Sequence, residues 1–138
     1  MDSIALGKEF QSLLCKLEST NHQALEDRIE EILQSLDKQV IQLFSKIFCS
    51  FIPSRTLNFK YYSNFFLTIP SLSNPIVKDL FLATMKNQMR TPNQPELCEF
   101  FSYLVENKYI DLDNAIEIIL FLLKSPEKLQ NLQFLQFL

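Results

Sequence analysis

The sequence predicts an all-α protein, and three observations support this class. The chain contains one glycine in 138 residues, whereas average usage would give about nine or ten. Its apolar residues recur at helical spacing, and no segment shows sustained alternation. Proline, asparagine and aspartate stand where the apolar stripes begin or end. Because glycine supplies the turns of hairpins and phosphate-binding loops, its scarcity disfavours strands and most catalytic motifs.

Seven apolar stripes, each with the spacing of one helix face, follow one another along the chain. They cover residues 6–17, 25–36, 40–51, 62–69, 77–81, 97–104 and 112–123. The last stripe is apolar almost all round, which is typical of a helix packed on more than one side. The sequence therefore predicts seven or eight helices, paired as antiparallel helical hairpins.

Capping residues and prolines separate these stripes. The candidate N-caps, whose side chains accept backbone N–H groups of the first helical turn, are Asp37, Asn58, Asn74, Asp111 (or Asp113) and Ser125. Asn74 and Ser125 each precede a proline, which suits the first helical position. The prolines that follow stripe ends, where they cannot extend a helix, are Pro53, Pro70 and Pro92.

Three of the candidate caps, Asp37, Asn74 and Asp111, are separated by 37 residues each. A unit of this length suits one helix–turn–helix pair per repeat in an α-solenoid. The apolar positions after Asp37 align with those after Asn74, whereas the unit after Asp111 follows the pattern less well. Tetratricopeptide and ankyrin consensus residues are absent. The pattern favours a stack of helical hairpins and leaves an irregular helical bundle as the alternative.

The length fits one domain over residues 1–138, with the alternative that it is the N-terminal part of a longer protein. A net charge of −3 and an isoelectric point near 5.1 provide no basic field, so we expect no nucleic-acid partner. The longest strictly apolar run, 118–123, is far shorter than the ~20 residues that span a bilayer. With no signal peptide pattern and three widely spaced cysteines, we expect a cytoplasmic protein without a membrane span.

Groups that could carry catalysis are sparse. The single histidine, His22, lies in a predicted connection, and we expect it to be exposed. The three cysteines, Cys15, Cys49 and Cys98, are interpreted as small apolar filler. The acidic residues 26–31 lie opposite the apolar stripe of their helix, which favours a solvated face. We therefore expect no enzyme, no cofactor and no metal site.

The segment 55–62 is the most distinctive polar stretch. It joins a turn rich in polar residues to an aromatic helix, with Arg55 at its start and Tyr62 at its end. Either Tyr61 or Tyr62 packs in the core with its hydroxyl at the edge, or the segment forms a polar-rimmed aromatic surface patch. On the second alternative, Arg55 and Tyr62 are candidate partner-binding residues.

This segment resembles the helical region that precedes ankyrin repeats in large protist ankyrin-repeat proteins. The residues that carry the resemblance to the stretch Arg-x-x-x-x-x-x-Tyr-x-x-Leu are Arg55, Asn58, Lys60, Tyr62, Phe65 and Phe66. Residues 103–110 are similar to a helix–turn of the same regions, and the similarity covers residues 25–125. Thr56 replaces the usual proline, and the chain contains no ankyrin repeat. The resemblance implies a non-catalytic helical module attached to a protein-binding array and supplies no functional residues.

The last residues of the chain are apolar without forming a single helix face. At 100° per residue, the apolar positions from Leu129 onward are scattered around the helix axis. Either the next element of a longer protein covers this surface, or it binds a partner. The candidate partner-binding residues here are Phe134, Leu135, Phe137 and Leu138.

These features together predict a non-catalytic protein-interaction or scaffold module, N-terminal to a repeat array. The alternative is a compact Bcl-2-like helical regulator that binds a partner helix, with residues 112–123 as its apolar central helix. Burial separates the two possibilities, because a bundle encircles that helix whereas a stack leaves one edge open.

Overall fold

The computed structural model describes residues 2–18, 22–90 and 95–124, and all structural statements below refer to these ranges. They form seven α-helices: α1 (Ser3–Lys16), α2 (His22–Leu33), α3 (Lys38–Phe51), α4 (Phe59–Thr68), α5 (Pro75–Met89), α6 (Pro95–Glu106) and α7 (Leu112–Leu123). Short 3-10 helices cover Ile52–Ser54, Thr56–Asn58 and Pro70–Ser73, and no strand occurs in the described ranges. The all-α prediction is confirmed. The predicted eighth segment lies outside the described residues.

The three caps spaced by 37 residues are confirmed. Asp37, Asn74 and Asp111 begin α3, α5 and α7, and each side-chain oxygen accepts a backbone N–H of the first turn at 2.8–2.9 Å. Asp2 caps α1 in the same way, with its carboxylate 3.0 Å from the Ile4 amide. Asn58 precedes α4, but its side chain makes no capping bond. The predicted cap at Ser125 lies outside the described residues.

Helices that occupy the same place in successive 37-residue units are neighbours in space. Helix α3 packs between α1 and α5, and α5 also contacts α7. Among the alternate helices, α4 contacts α6, while α2 contacts both α1 and α3. These contacts are consistent with a stack or a bundle, and the antiparallel hairpin pairing stays a prediction.

The core is aromatic and is centred on Phe48 of α3. Its ring lies 4.9 Å from that of Phe66, 5.8 Å from Phe81 and 5.5 Å from Phe100, measured between centroids. These partners belong to α4, α5 and α6, so one side chain joins four helices. Edge-on and tilted ring pairs of this kind add about 0.5–1.5 kcal/mol each beyond their buried area.

The connection between α6 and α7 is anchored to earlier units. The Tyr109 hydroxyl donates to the carbonyl of Leu72 at 2.6 Å, which is one 37-residue unit earlier. The Asn107 side-chain amide donates to the carbonyl of Ser63 at 2.8 Å. Because both acceptors are main-chain groups, these bonds fix the path of the connection irrespective of the side chains at 63 and 72.

The single glycine does not form a turn. Gly7 lies inside α1, as the sequence predicts, and its φ is not positive. The left-handed backbone positions are instead Leu36, with φ 57°, and Lys108, with φ 68°. Both follow helix ends, where glycine is the usual residue. At these two helix ends, residues with side chains therefore adopt the left-handed conformation, which is sterically unfavourable for them.

Candidate protein-interaction sites

The predicted site residues Arg55 and Tyr62 belong to a polar cluster where the end of α1 meets the start of α4. We call it the Glu18 cluster, comprising Glu18, Arg55, Asn58 and Tyr62. The Glu18 carboxylate accepts hydrogen bonds from the Tyr62 hydroxyl at 3.0 Å and from the Asn58 amide at 2.8 Å. An Arg55 guanidinium nitrogen lies 3.7 Å from the same carboxylate. The Glu18 carboxylate thus contacts three side chains that lie about 40 residues further along the chain.

The core alternative is confirmed for Tyr62, whose side chain is fully buried. Its hydroxyl also lies 3.4 Å from the carbonyl of Leu14. Burial, followed by the hydrogen bond to Glu18, raises the pKa of Tyr62 well above the ordinary tyrosine value. Because the ring has no exposed surface, Tyr62 supports the cluster from inside and cannot touch a partner directly.

Arg55 is half-buried and held from two sides. Its guanidinium carbon lies 5.0 Å from the centroid of the Phe51 ring, which is cation–π geometry. Its buried Nε has no hydrogen-bond partner among the described residues. Beside it, the Leu57 side chain is 97% exposed. Arg55 is therefore held in place beside an exposed leucine. Its role in partner binding stays a prediction.

Tyr61 lies next to the Glu18 cluster and faces two carboxylates. Its hydroxyl is buried without a hydrogen-bond partner in the described part of the chain, and its ring lies 5.6 Å from that of His22, tilted by 47°. Burial, together with the negative charges of Glu26 and Glu18, raises the pKa of Tyr61 to about 12. His22 is exposed at the first position of α2, as predicted.

The acidic residues of α2 are not a uniformly solvated face, and this corrects the prediction. Glu26 is only 9% exposed, and burial raises the pKa of its carboxyl. The Glu30 carboxylate accepts bonds from both the backbone N–H and the hydroxyl of Ser71, each at 2.7 Å. Two of the acidic side chains therefore face neighbouring elements, whereas Asp27 and Glu31 remain exposed.

Nucleophilic and metal chemistry find little support in the described residues. Cys49 and Cys98 are buried, and burial raises the pKa of each thiol to about 12. The thiolates that act as nucleophiles need the opposite shift. Cys15 is exposed. No group of three or more potential metal-ligating side chains occurs in residues 2–18, 22–90 and 95–124.

Helix α7 carries two apolar faces, of which only one is covered by described residues. Ala115, Ile118 and Leu122 are buried on the α5 side. On the other side, Leu112 is 69%, Ile116 46% and Leu120 51% exposed, at i, i+4 and i+8. We call these last three the open face of α7. The sequence predicted packing on more than one side, and the second side has no neighbour among the described residues.

The remaining predicted partner-binding residues, Phe134, Leu135, Phe137 and Leu138, lie outside the described residues. Sequence reasoning did not single out Glu18, because its partners are distant in the chain and no local pattern marks it. The open face of α7 could be predicted from the sequence, because a helix that is apolar almost all round needs neighbours on two sides.

Grooves lie between helices that occupy the same place in successive 37-residue units. One groove of about 430 Å³ lies between α1 and the start of α3, and another of about 250 Å³ lies between α5 and α7. Their linings mix charged and apolar side chains.

None of the helices in the described ranges has both the length and the apolar character required to cross a bilayer. No protein-family model, no curated protein and no solved structure matches the chain. The resemblance to regions that precede ankyrin repeats therefore stays a prediction.

Proposed function

We propose that this chain is a non-catalytic helical module that binds a protein partner through its C-terminal edge. The C-terminal edge comprises the open face of α7 and residues 125–138. The observation that carries the proposal is that α7 leaves three large apolar side chains exposed. The sequence then adds six more apolar residues within 125–138. Exposed apolar side chains that lie together on one face, as Leu112, Ile116 and Leu120 do, mark interaction sites on proteins.

A scaffold role is supported by how the polar groups are used. The Glu18 cluster, the Glu30–Ser71 bonds and the Tyr109–Leu72 bond all join separate elements of the fold. Burial keeps Cys49 and Cys98 protonated at neutral pH. The polar interactions of the described residues therefore stabilise a helical array and present no grouping suited to a reaction.

The open face of α7 favours this proposal over a Bcl-2-like regulator. In such a bundle, the apolar central helix is encircled by the others. Here α7 contacts α5 and exposes Leu112, Ile116 and Leu120 on its other side among the described residues. A place before a repeat array is part of the proposal and rests on the sequence resemblance alone.

Proximity labelling in the native cells tests the proposal, with the labelling enzyme fused to the N-terminus of the full chain. We expect a defined set of labelled proteins that is lost with Phe134→Asp/Phe137→Asp. The matched control is Leu67→Asp, which changes a leucine 50% exposed on α4 and should leave the labelled set unchanged. The same labelled set for all three chains would contradict partner binding at the C-terminal edge.

The turn around Arg55 is a second candidate surface, favoured by the 97% exposure of Leu57 beside the fixed guanidinium. The same labelling experiment with Leu57→Asp tests it. Loss of a protein that Phe134→Asp/Phe137→Asp retains would assign that protein to the Arg55 turn. If Leu57→Asp leaves every labelled protein in place, the turn is not a binding surface.

A further inference from the structure

Two depressions follow one another between α1 and α3. The groove of about 430 Å³ near the start of both helices takes its apolar lining on α3 from Val40 and Leu43. A depression of about 530 Å³ further along the same helices is lined by Ile47 and Phe51. These four side chains recur every three or four residues and are only partly buried, so they form one apolar stripe about 16 Å long. We call the two depressions together the α1–α3 groove.

Gly7 of α1 lies where the two depressions meet. A Cβ at this position would be nearest to Ile47 Cδ1, at 3.5 Å, and to Leu43 Cδ1, at 4.0 Å. Leu43 lines the first depression and Ile47 lines the second. Since glycine has no side chain to extend over this part of the stripe, its presence keeps the groove continuous, although it weakens the helix.

The α1–α3 groove carries positive charge on both of its walls. Lys8 lines it from α1 and Lys46 lines it from α3. Neither lysine forms an ion pair with any of the described residues. Lys8 follows Gly7 and Lys46 precedes Ile47, and these two positions are adjacent across the groove. The two lysines therefore lie at about the same level along it.

The acidic residues of these helices are engaged elsewhere. Asp2 and Asp37 cap α1 and α3 through their carboxylates. Glu9 accepts two hydrogen bonds from Arg28 of α2. Helix α3 itself contains two lysines and no acidic residue. The groove is therefore positive in a chain whose net charge is −3, and it suits a partner surface that is apolar and acidic.

The open face of α7 is such a surface. Asp113 and Glu117 are both exposed, and at 100° per residue they lie about 60° and 100° from Ile116, along one edge of this face. Neither forms an ion pair within the described part of the chain. Lys86 of the neighbouring α5 lies over the Phe121 ring, 4.5 Å from its centroid. The edge of the open face is thus acidic.

The two surfaces match in shape and in charge. The open face is convex and spans residues 112–120, or about 12 Å of helix, which is shorter than the stripe of the α1–α3 groove. An amphipathic helix places apolar side chains at such intervals into an apolar groove. The acidic edge would then lie beside a lysine wall, and opposite charges across an interface orient the partner. The groove and the open face belong to opposite ends of the series α1, α3, α5 and α7.

We propose that the open face of α7 docks into the α1–α3 groove of a second copy of this chain. The contact is head-to-tail, because it joins two different surfaces, and each copy keeps one of them free for a further copy. This inference rests on the proposed function, because it names the partner of the open face of α7.

Sedimentation velocity of the full chain tests the proposal through a charge exchange. We expect the mean mass of the unmodified chain to rise between about 10 µM and 1 mM, since the apolar contact is small. Lys8→Glu/Lys46→Glu and Asp113→Lys/Glu117→Lys should each associate at least about tenfold more weakly, because like charges then meet. An equimolar mixture of the two variants should regain association. The first variant is more negative than the natural chain and the second is less charged, so a loss in both cannot come from net charge.

The mixture also shows that both variants are folded. A natural chain that stays monomeric at about 1 mM would overturn the proposal. So would a Lys8→Glu/Lys46→Glu variant that associates unchanged, because α7 would then pair without the groove, or a mixture that stays monomeric. If the natural chain is monomeric while proximity labelling still depends on Phe134 and Phe137, the second copy is excluded and the proposed function stands.

Discussion

The one glycine of the chain lies inside a helix, and the left-handed positions after two of the helices are occupied by other residues. Gly7 is inside α1, while Leu36 and Lys108 hold left-handed backbone positions with φ of 57° and 68°. A side chain in that region costs about 1–2 kcal/mol. The placement of glycine thus affects stability twice: its absence at Leu36 and Lys108 leaves two strained turns, and its presence at position 7 weakens α1.

Replacing Gly7 with alanine should stabilise the protein. A Cβ at this position would meet Ile47 Cδ1 at 3.5 Å and Leu43 Cδ1 at 4.0 Å, which is ordinary van der Waals contact. Since alanine is the better helix former, we expect the free energy of unfolding in urea to rise by about 0.5–1 kcal/mol. Ala5→Gly, a change on the same helix, is the matched control and should lower it. Destabilisation by Gly7→Ala would mean that α1 and α3 cannot accommodate a methyl group.

The Glu18 cluster should show coupling between its members. In Glu18→Ala, the buried Tyr62 hydroxyl loses its closest acceptor, 3.0 Å away, so we expect a loss of about 1–3 kcal/mol in unfolding free energy. In a Tyr62→Phe background the same change should cost less, because no buried hydroxyl is left unpaired. Glu18→Gln keeps a side-chain acceptor and is the control. Additive effects of Glu18→Ala and Tyr62→Phe, within about 0.3–0.5 kcal/mol, would show that the bond contributes nothing specific.

At the scale of elements, the sequence predicted what is local and missed what is distant. Asp37, Asn74 and Asp111 are visible as caps because each bonds an amide two or three residues away. Asn58 was also a predicted cap, but its side chain donates to Glu18, 40 residues earlier. No local pattern distinguishes these two uses of a polar residue before a helix.

The acidic residues of α2 show the same limit. Glu30 was predicted to be solvated because it lies opposite the apolar stripe. The structure instead brings the 3-10 helix Pro70–Ser73 against it, and the Ser71 backbone N–H and hydroxyl supply two donors. Helical periodicity reports one face of a helix, and it does not report a second neighbour that contacts the helix through polar groups.

Removal of a cap should destabilise its own helix by a predictable amount. Asn74→Ala leaves the Ile76 N–H at the start of α5 without the side-chain acceptor that now lies 2.9 Å away. We expect the free energy of unfolding to fall by about 1 kcal/mol. Asn74→Ser keeps a capping oxygen and should cost only a few tenths. Equal losses for the alanine and serine variants would show that the cap oxygen is not what matters at this position.

At the scale of the whole molecule, burial of aromatic and thiol groups makes the fold sensitive to alkali. Cys49, Cys98, Tyr62 and Tyr109 are all buried. Desolvation by burial raises the pKa of both thiols from about 9 to about 12 and raises the pKa of both phenols above the ordinary value near 10. As pH rises, the unfolded chain therefore releases these protons before the folded chain does.

This difference predicts that the stability is fully present below about pH 9 and is lost as pH rises toward 12. Each group that titrates only in the unfolded state lowers the free energy of unfolding by about 1.4 kcal/mol per pH unit. Urea unfolding at a series of pH values above 8 measures the slope, which should steepen above pH 10 as the phenols join the thiols. Tyr109→Phe removes one titrating group, so its slope above pH 10 should be shallower even though it also loses the bond to Leu72. A stability that stays constant through this range would mean that the unfolded state protects these groups as well as the core does.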